Sequence, residues 1–343
     1  MGTVGIITNP AAGKDIRRLV AHASPTSDAA KMGVVRRAVM GAVDAGATRI
    51  LVAPDRHNLS TRAVRGLELD AFPSVVIEVL DEPAHGWSGD TIAMASRLAK
   101  EGADTVIVLG GDGTQRDVAK GWLDVALVAI STGTNNVFPR SVDATLAGLA
   151  AGLVAAGVVE LSQVSHRAKV AHVRFDDGSN DDLALVDLVL MDGQFTGSRA
   201  VWDPHSLRAL IACIAEPATV GLSCIAGLLH PVDRRSPGGV QVMFNGAHRS
   251  QVVRAPLAPG LFFDVSYSSV KPLDEGSPIV LTGPGVLSFD GERDRVLGSG
   301  AVVTVEIRAD GPYVIDVDAT IAAAASTNHF HHAVGIPAHG IEE

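Results

Sequence analysis

The chain has 343 residues, 47% of them apolar, enough for one very large domain or two ordinary ones with a sizeable core. A formal net charge of −10 speaks against a dominant interaction with nucleic acid or an anionic membrane, so a nucleotide site would need local relief from backbone amides, a few cations or Mg2+. Two cysteines, no signal-peptide features in MGTVGIITNP and no apolar run of the ~18 residues that span a membrane lead to the expectation of a soluble cytoplasmic protein with free thiols.

Residues 4–8 read as a buried strand ending in the loop Asn9-Pro10-Ala11-Ala12-Gly13-Lys14, where Pro and Gly mark a turn. The loop lacks the Gly-x-x-x-x-Gly-Lys-Ser/Thr spacing of a P-loop, and Lys14 reads as solvated. Asp28 is the expected cap of a helix over 30–45, whose Val34, Val35, Ala38, Val39 and Ala42 form one apolar stripe that Gly46 ends. Strands follow over 49–53, 74–80, 105–109 and 125–130, alternating with helices over 59–69, 90–101, 114–123 and 143–155. This alternation predicts a parallel, doubly wound sheet over residues 1–160.

Beyond residue 161 the pattern changes. Strands are predicted over 169–175, 183–191, 239–244, 251–255, 261–266, 278–288, 302–308 and 312–316, with one helix over 204–214. Asp176-Asp177-Gly178, Asn245-Gly246, Asp290-Gly291 and Asp310-Gly311 read as hairpin turns. Residues 161–316 are thus expected to be a mostly antiparallel β domain. The tail 317–343 begins with an Ala-rich stretch expected to close as a helix on the first domain.

The chemistry concentrates between residues 105 and 140. Ligands of parallel sheets bind at the carboxyl ends of strands, where Gly110-Gly111-Asp112-Gly113-Thr114 and Ser131-Thr132-Gly133-Thr134-Asn135-Asn136 fall. Glycines allow close backbone approach and positive φ, and the N-terminus of the following helix suits phosphate oxygens. A carboxylate there, Asp112, is awkward for plain anion binding but suits taking a proton from an attacking hydroxyl or holding Mg2+. The plainer alternative is a tight turn with Asp112 as helix N-cap. Thr132, Thr134, Asn135 and Asn136 offer neutral groups for ribose or phosphate. A dinucleotide oxidoreductase fits poorly, because Arg116 stands where Gly-x-Gly-x-x-Gly needs its third glycine.

These residues resemble the ATP-NAD kinase family, within it the acetoin catabolism protein X branch. The resemblance rests on the Asn-Pro-Ala-Ala-Gly loop at 9–13, GGDGT at 110–114, STGTNNVFP at 131–139 and Phe289-Asp290-Gly291-Glu292. It implies an α/β domain followed by a β domain with the site in the cleft between them, ATP with Mg2+ as phosphoryl donor, and NAD or another small hydroxyl metabolite as acceptor. It also implies that Asp112 activates the acceptor hydroxyl, and that Asn9, Gly110, Gly111, Gly113, Thr114, Thr132, Gly133, Thr134, Asn135, Asn136, Asp187, Asp290 and Glu292 hold nucleotide. The family's Asn-Glu pair is replaced by Val186-Asp187, and its Thr-Gly-Ser-Thr-Ala-Tyr segment has at most a counterpart in residues 219–223. Both departures weaken NAD as acceptor more than they weaken kinase chemistry.

Of the remaining candidates, Arg199 in the loop with Trp202 and Asp203 fits a phosphate partner or a surface ion pair equally well. His329, His331 and His332 lie on a tail without further ligands and do not predict a metal site. Arg234-Arg235 reads as part of a solvated loop. The expectation is an ATP-dependent, or polyphosphate-dependent, kinase in a homo-oligomer. Its rival is a nucleotide-binding accessory protein without kinase activity.

Overall fold

The computed structural model describes residues 2–13, 26–67, 72–132, 135–193, 204–244 and 251–331. Expectations for Lys14, Gly133, Thr134, Arg199, Trp202, Asp203, Asn245-Gly246 and His332 lie outside the described residues.

The first lobe alternates strand and helix as the apolar pattern requires. β1 (Gly2–Thr8) is followed by α1 (Asp28–Asp44), β2 (Ala47–Val52), α2 (Leu59–Val64) and β3 (Val76–Val79). Then come α3 (Ser88–Lys100), β4 (Thr105–Gly110), α4 (Asp112–Gly121), β5 (Ala126–Ser131) and α5 (Ala144–Ala155). The five strands are parallel in the order β3-β2-β1-β4-β5. Alternate strand residues face opposite layers. Val4, Ile6, Ile107 and Leu109 pack with α1 and α5, whereas Ile7, Val106 and Val108 pack with Met94, Leu98 and Val118 of α3 and α4. The sheet is therefore doubly wound. The cap of α1 is Ser27, whose hydroxyl accepts from the Ala30 amide at 3.1 Å; Asp28 stands one residue further on, in the first turn, where its charge suits the helix dipole.

The second lobe starts after α6 (Leu161–Val164) and β6 (Ser165–Arg167). β7 (Val170–Phe175), β8 (Asp182–Ala184), β9 (Asp187–Met191) and β10 (Leu207–Ala212) precede α7 (Leu222–Leu229) and β11 (Gly239–Met243). β12 (Gln251–Ala258), β13 (Leu261–Tyr267), β14 (Ser269–Leu273) and β15 (Ile279–Thr282) follow. β16 (Gly285–Phe289), β17 (Glu292–Leu297), β18 (Val302–Arg308), β19 (Tyr313–Ile315) and α8 (Val317–Ser326) complete the order. All pairings within this lobe's sheets are antiparallel: β14-β11-β10-β9-β16-β17, β15-β18-β7-β8 and the hairpin β12-β13.

Several expectations change. The helix expected over 204–214 is a short 3-10 turn followed by β10, a central strand buried on both faces. The strand expected over 183–191 is broken between β8 and β9, and that over 278–288 between β15 and β16. Asp290-Gly291 makes the tight hairpin β16–β17, with φ of 51° and 78° as a primed turn requires. Asp310-Gly311 makes no hairpin. It carries the chain back to the first lobe, where β19 runs parallel to β5 and antiparallel to β6 in a seven-stranded sheet. Asp316 caps α8 by accepting from the Ala319 amide, and Ala324 of α8 is buried with Leu153 of α5. Among the described residues, no helix is long and apolar enough to cross a membrane.

The helices α1 and α5 approach to backbone contact. A Cβ at Gly148 would lie 2.0 Å from the Ala38 carbonyl oxygen, and one at Gly41 2.2 Å from that of Thr145. Gly148→Ala improves helix propensity but forces the helices apart. It is expected to lower the unfolding free energy by about 1–3 kcal/mol in urea denaturation.

Candidate active site

The strand order reverses between β1 and β4, which opens a crevice at their carboxyl ends. Asn9 spans it: its backbone amide donates to the Leu109 carbonyl, and its Nδ2 donates to Thr114 Oγ1, both at 2.9 Å. Its Oδ1 accepts from the Ala11 amide at 2.9 Å. The fully buried Lys31 draws the loop's carbonyls inward, donating to Pro10 O at 2.7 Å and Ala12 O at 2.8 Å. Nothing in the sequence around Lys31 distinguishes it from a solvated helix lysine.

Gly111, with φ −100°, is the N-cap of α4, so Asp112 begins the helix rather than capping it. None of Gly110, Gly111 and Gly113 takes a positive φ. Glycine is needed there for space instead. An added Cβ would meet the Thr114 side chain at 2.4 Å, Asn136 Oδ1 at 2.9 Å and the Glu292 carboxylate at 3.3 Å, respectively.

The crevice encloses a cavity of about 410 Å3, within the range of small-molecule sites. Asn9, Gly111, Asp112, Gly113 and Thr114 line it, together with Asn135 and Asn136; the second lobe contributes Asp290 and Glu292. Gly110, Thr132 and Asp187 do not reach the cavity wall: Thr132 and Asp187 are buried, and Gly110 is covered by Thr114. Two lining residues carry buried polar atoms with no hydrogen-bond partner among the described residues, the Thr8 hydroxyl and both amide atoms of Asn135. Buried polar groups of this kind are normally satisfied, and these atoms have almost no surface open to the cavity. At the rim stand Arg56, His57 and Trp87, the last 64% exposed.

Asp112 is anchored rather than free. Its Oδ1 accepts from the amides of Val137 (3.0 Å) and Phe138 (2.8 Å), and its Oδ2 from Val137 (3.1 Å). The carbonyls of the same two residues accept from Arg234 of the second lobe, at 2.9 Å for Val137 and 3.1 Å for Phe138. Glu216 pairs with that guanidinium at 2.9 Å. Arg234 was expected in a solvated loop, yet its side chain is only 11% exposed. Lys169 holds its loop by donating to Asp233 O and Gly238 O, and burial lowers the lysine's pKa.

Asp290 is also occupied. Its Oδ1 accepts from the amides of Leu185 (3.1 Å), Val186 (2.8 Å) and Asp187 (3.2 Å), which is what breaks β8 from β9. Burial pushes its carboxyl up to about 6, against the pull of Arg116 and these amides. Arg116 links α4 to the second lobe: it donates to Leu183 O at 2.7 Å, pairs with Asp182 and Asp294, and stacks on Phe289. Asp117, which sequence reasoning passed over, lines the cavity one helical turn beyond Gly113 and Thr114. Burial, together with Glu292 and Asp294, pushes its carboxyl up to about 7, against Arg116 and Lys120.

Known proteins carry related sequences. Residues 70–172 match the diacylglycerol kinase catalytic domain, and residues 166–310 match the acetoin catabolism protein X C-terminal domain. Over 329 residues the chain is 36% identical to acetoin catabolism protein X of Cupriavidus necator, covering 94% of this chain and 92% of that protein. The chain belongs to the acetoin catabolism protein X family. Among solved structures, yeast NADH kinase complexed with NADH superimposes with a TM-score of 0.52 at 15% identity, over 98% of this chain and 90% of that one. This acetoin catabolism protein X family member therefore shares the two-lobed NAD kinase fold that the GGDGT and STGTNNVFP loops implied.

Two measurements probe the site's framework. Arg234→Ala leaves two buried carbonyls and Glu216 without their guanidinium, and is expected to cost about 2–4 kcal/mol in chemical denaturation. For Asp117, the folded protein holds the proton more tightly than an unfolded chain with the ordinary value of 3.8. The corresponding stability is present at low pH and is lost as pH rises from about 4 through 7. Asp117→Asn is therefore expected to be more stable than wild type at pH 8, by on the order of 1–3 kcal/mol, and the difference should shrink toward zero at pH 4.

Proposed function

We propose that this chain is a phosphotransferase that binds ATP as its Mg2+ complex in the crevice between β1 and β4. It passes the terminal phosphoryl group to a hydroxyl of NAD or a related small metabolite. The observation that carries this reading is the cavity itself: it lies at the switch point of the sheet, the N-terminus of α4 opens on it, and Asn9, the Gly111–Thr114 turn and Asn136 line it. Among the described residues, no group of three or more His, Cys, Asp or Glu is placed to hold a metal ion. Mg2+ would enter with the nucleotide and would lessen the repulsion of its phosphates from Asp117 and Glu292. Inorganic polyphosphate is the alternative donor. The kinase catalytic match and the NADH kinase likeness support the reaction type, and the Cupriavidus relative's name favours an acceptor from acetoin catabolism alongside NAD.

One observation favours a second reading, an accessory protein that binds nucleotide without transferring phosphate. Both oxygens of Asp112 are engaged by Val137 and Phe138, so the residue expected to take the proton is committed elsewhere.

The test is a transfer screen with MgATP and with polyphosphate against NAD, NADH and small hydroxyl metabolites, read by acceptor-dependent donor consumption and phosphorylated product. Calorimetric titration of MgATP runs in parallel. The kinase reading expects MgATP binding and turnover with at least one acceptor. Binding without turnover selects the accessory reading, and absence of binding or turnover with either donor sinks both.

A further inference from the structure

Moving a phosphoryl group to a hydroxyl needs a place for the hydroxyl proton, and the cavity's carboxylates are not equally able to take it. Asp112 and Asp290 accept from backbone amides as described above. Asp55 accepts from the amides of His57, Leu59 and Ser60, and Asp90 from that of Gly86. These bonds occupy lone pairs that an incoming proton would need. Asp117 lines the same cavity and accepts no hydrogen bond from any described residue. Its spacing from Gly113 and Thr114 places it on the helix face that those lining residues occupy. Resting on the phosphotransfer reading, we infer that Asp117, and not Asp112, is the group that takes the proton of the acceptor hydroxyl, while Asp112 is a positioning residue that fixes the loop at Val137 and Phe138.

The step balances without a further reactant. The acceptor oxygen attacks the terminal phosphorus, and the bond from that phosphorus to the bridging oxygen breaks, releasing the nucleoside diphosphate. The hydroxyl proton passes to a carboxylate oxygen of Asp117 and leaves to solvent after the products depart. A carboxylate is ordinarily too weak a base for this at neutral pH; burial of Asp117, which brings its carboxyl up to about 7, removes that objection. The charged groups around it are Arg116 and Lys120 on its own helix, Asp182 of β8, which pairs with both, and Glu292 and Asp294 of β17. Asp112, Asp290 and Asp90 line the same cavity. Glu292 is the other lining carboxylate without a hydrogen bond among the described residues, and its negative charge raises the proton affinity of Asp117.

The experiment is the pH dependence of kcat between pH 5 and 9 (a range on the order of the ordinary working window), with MgATP and an acceptor found in the screen. Wild type should rise with pH through a midpoint near that of Asp117. Asp117→Asn should lose that limb and about 100-fold in kcat, with the MgATP dissociation constant changed by less than about threefold. Glu292→Gln should keep the limb but move its midpoint to lower pH, since a like charge has been removed. Asp112→Asn should lower both rate and stability while leaving the midpoint where it was. An Asp117→Asn protein with the wild-type rate or limb overturns the assignment, as does loss of the limb in Glu292→Gln or Asp112→Asn but not in Asp117→Asn. A wild-type protein that turns over no acceptor overturns the phosphotransfer reading and this assignment with it, whereas an active wild type with an unaffected Asp117→Asn overturns the assignment alone.

Discussion

Everything in the crevice depends on how two consecutive peptide groups, those of Val137 and Phe138, are held. Their amides donate to the Asp112 carboxylate from one side, and their carbonyls accept from the Arg234 guanidinium on the other. Opposite charges from the two lobes thus meet through a short stretch of backbone that satisfies both. Each charge is nearly out of water, so these bonds are stronger than they would be on a surface, and removal of either partner leaves its counterpart stranded. Asn135 and Asn136 immediately precede the clamped dipeptide, so the groups offered to a ligand are positioned from the second lobe as well as from the first.

The junction repeats this logic at two further points. Asp290 gathers the amides of Leu185, Val186 and Asp187, and Arg116 reaches from α4 to Leu183, Asp182 and Asp294. In each case a charged side chain is used up in fixing backbone across or beside the crevice. Among the described lining residues, the carboxylates left over for chemistry are Asp117 and Glu292. Residues that look catalytic by type are here separated into fixed and available ones by their hydrogen bonds.

Much of the fold was legible in the sequence because the first lobe obeys simple periodicity. Its strands are short apolar runs, its helices carry one-sided stripes, and the two glycine-rich loops fall at strand ends. Legibility failed where burial removed the pattern. Leu207, Leu210 and Ile211 have the spacing of a helix face, yet this segment is a strand covered on both faces, where every position but Arg208 is apolar and the two-residue alternation is lost. The largely apolar Leu222–Leu229 hid a helix for the same reason. At the site, the loops bearing Asn9, Asp112 and Asn135 were readable from Gly and Asn content. Arg234, Lys31 and Lys169 were not, because each acts on carbonyls distant in sequence and nothing local distinguishes it from a solvated cation. Asp117 was hidden by its position inside a helix, where a carboxylate is ordinarily solvent-facing.

The return of the chain at Tyr313–Ile315 has a consequence for how the protein is made. The first lobe's sheet is left with a bare edge at β5 when its own residues have been synthesised. The strand that covers this edge, and the helix α8 that closes over α5, come only after the whole β lobe. An uncovered edge strand is a template for wrong pairing with other chains. On the ribosome, where domains fold as they emerge, the nascent first lobe must therefore wait with that edge open while some 150 residues of the second lobe are added.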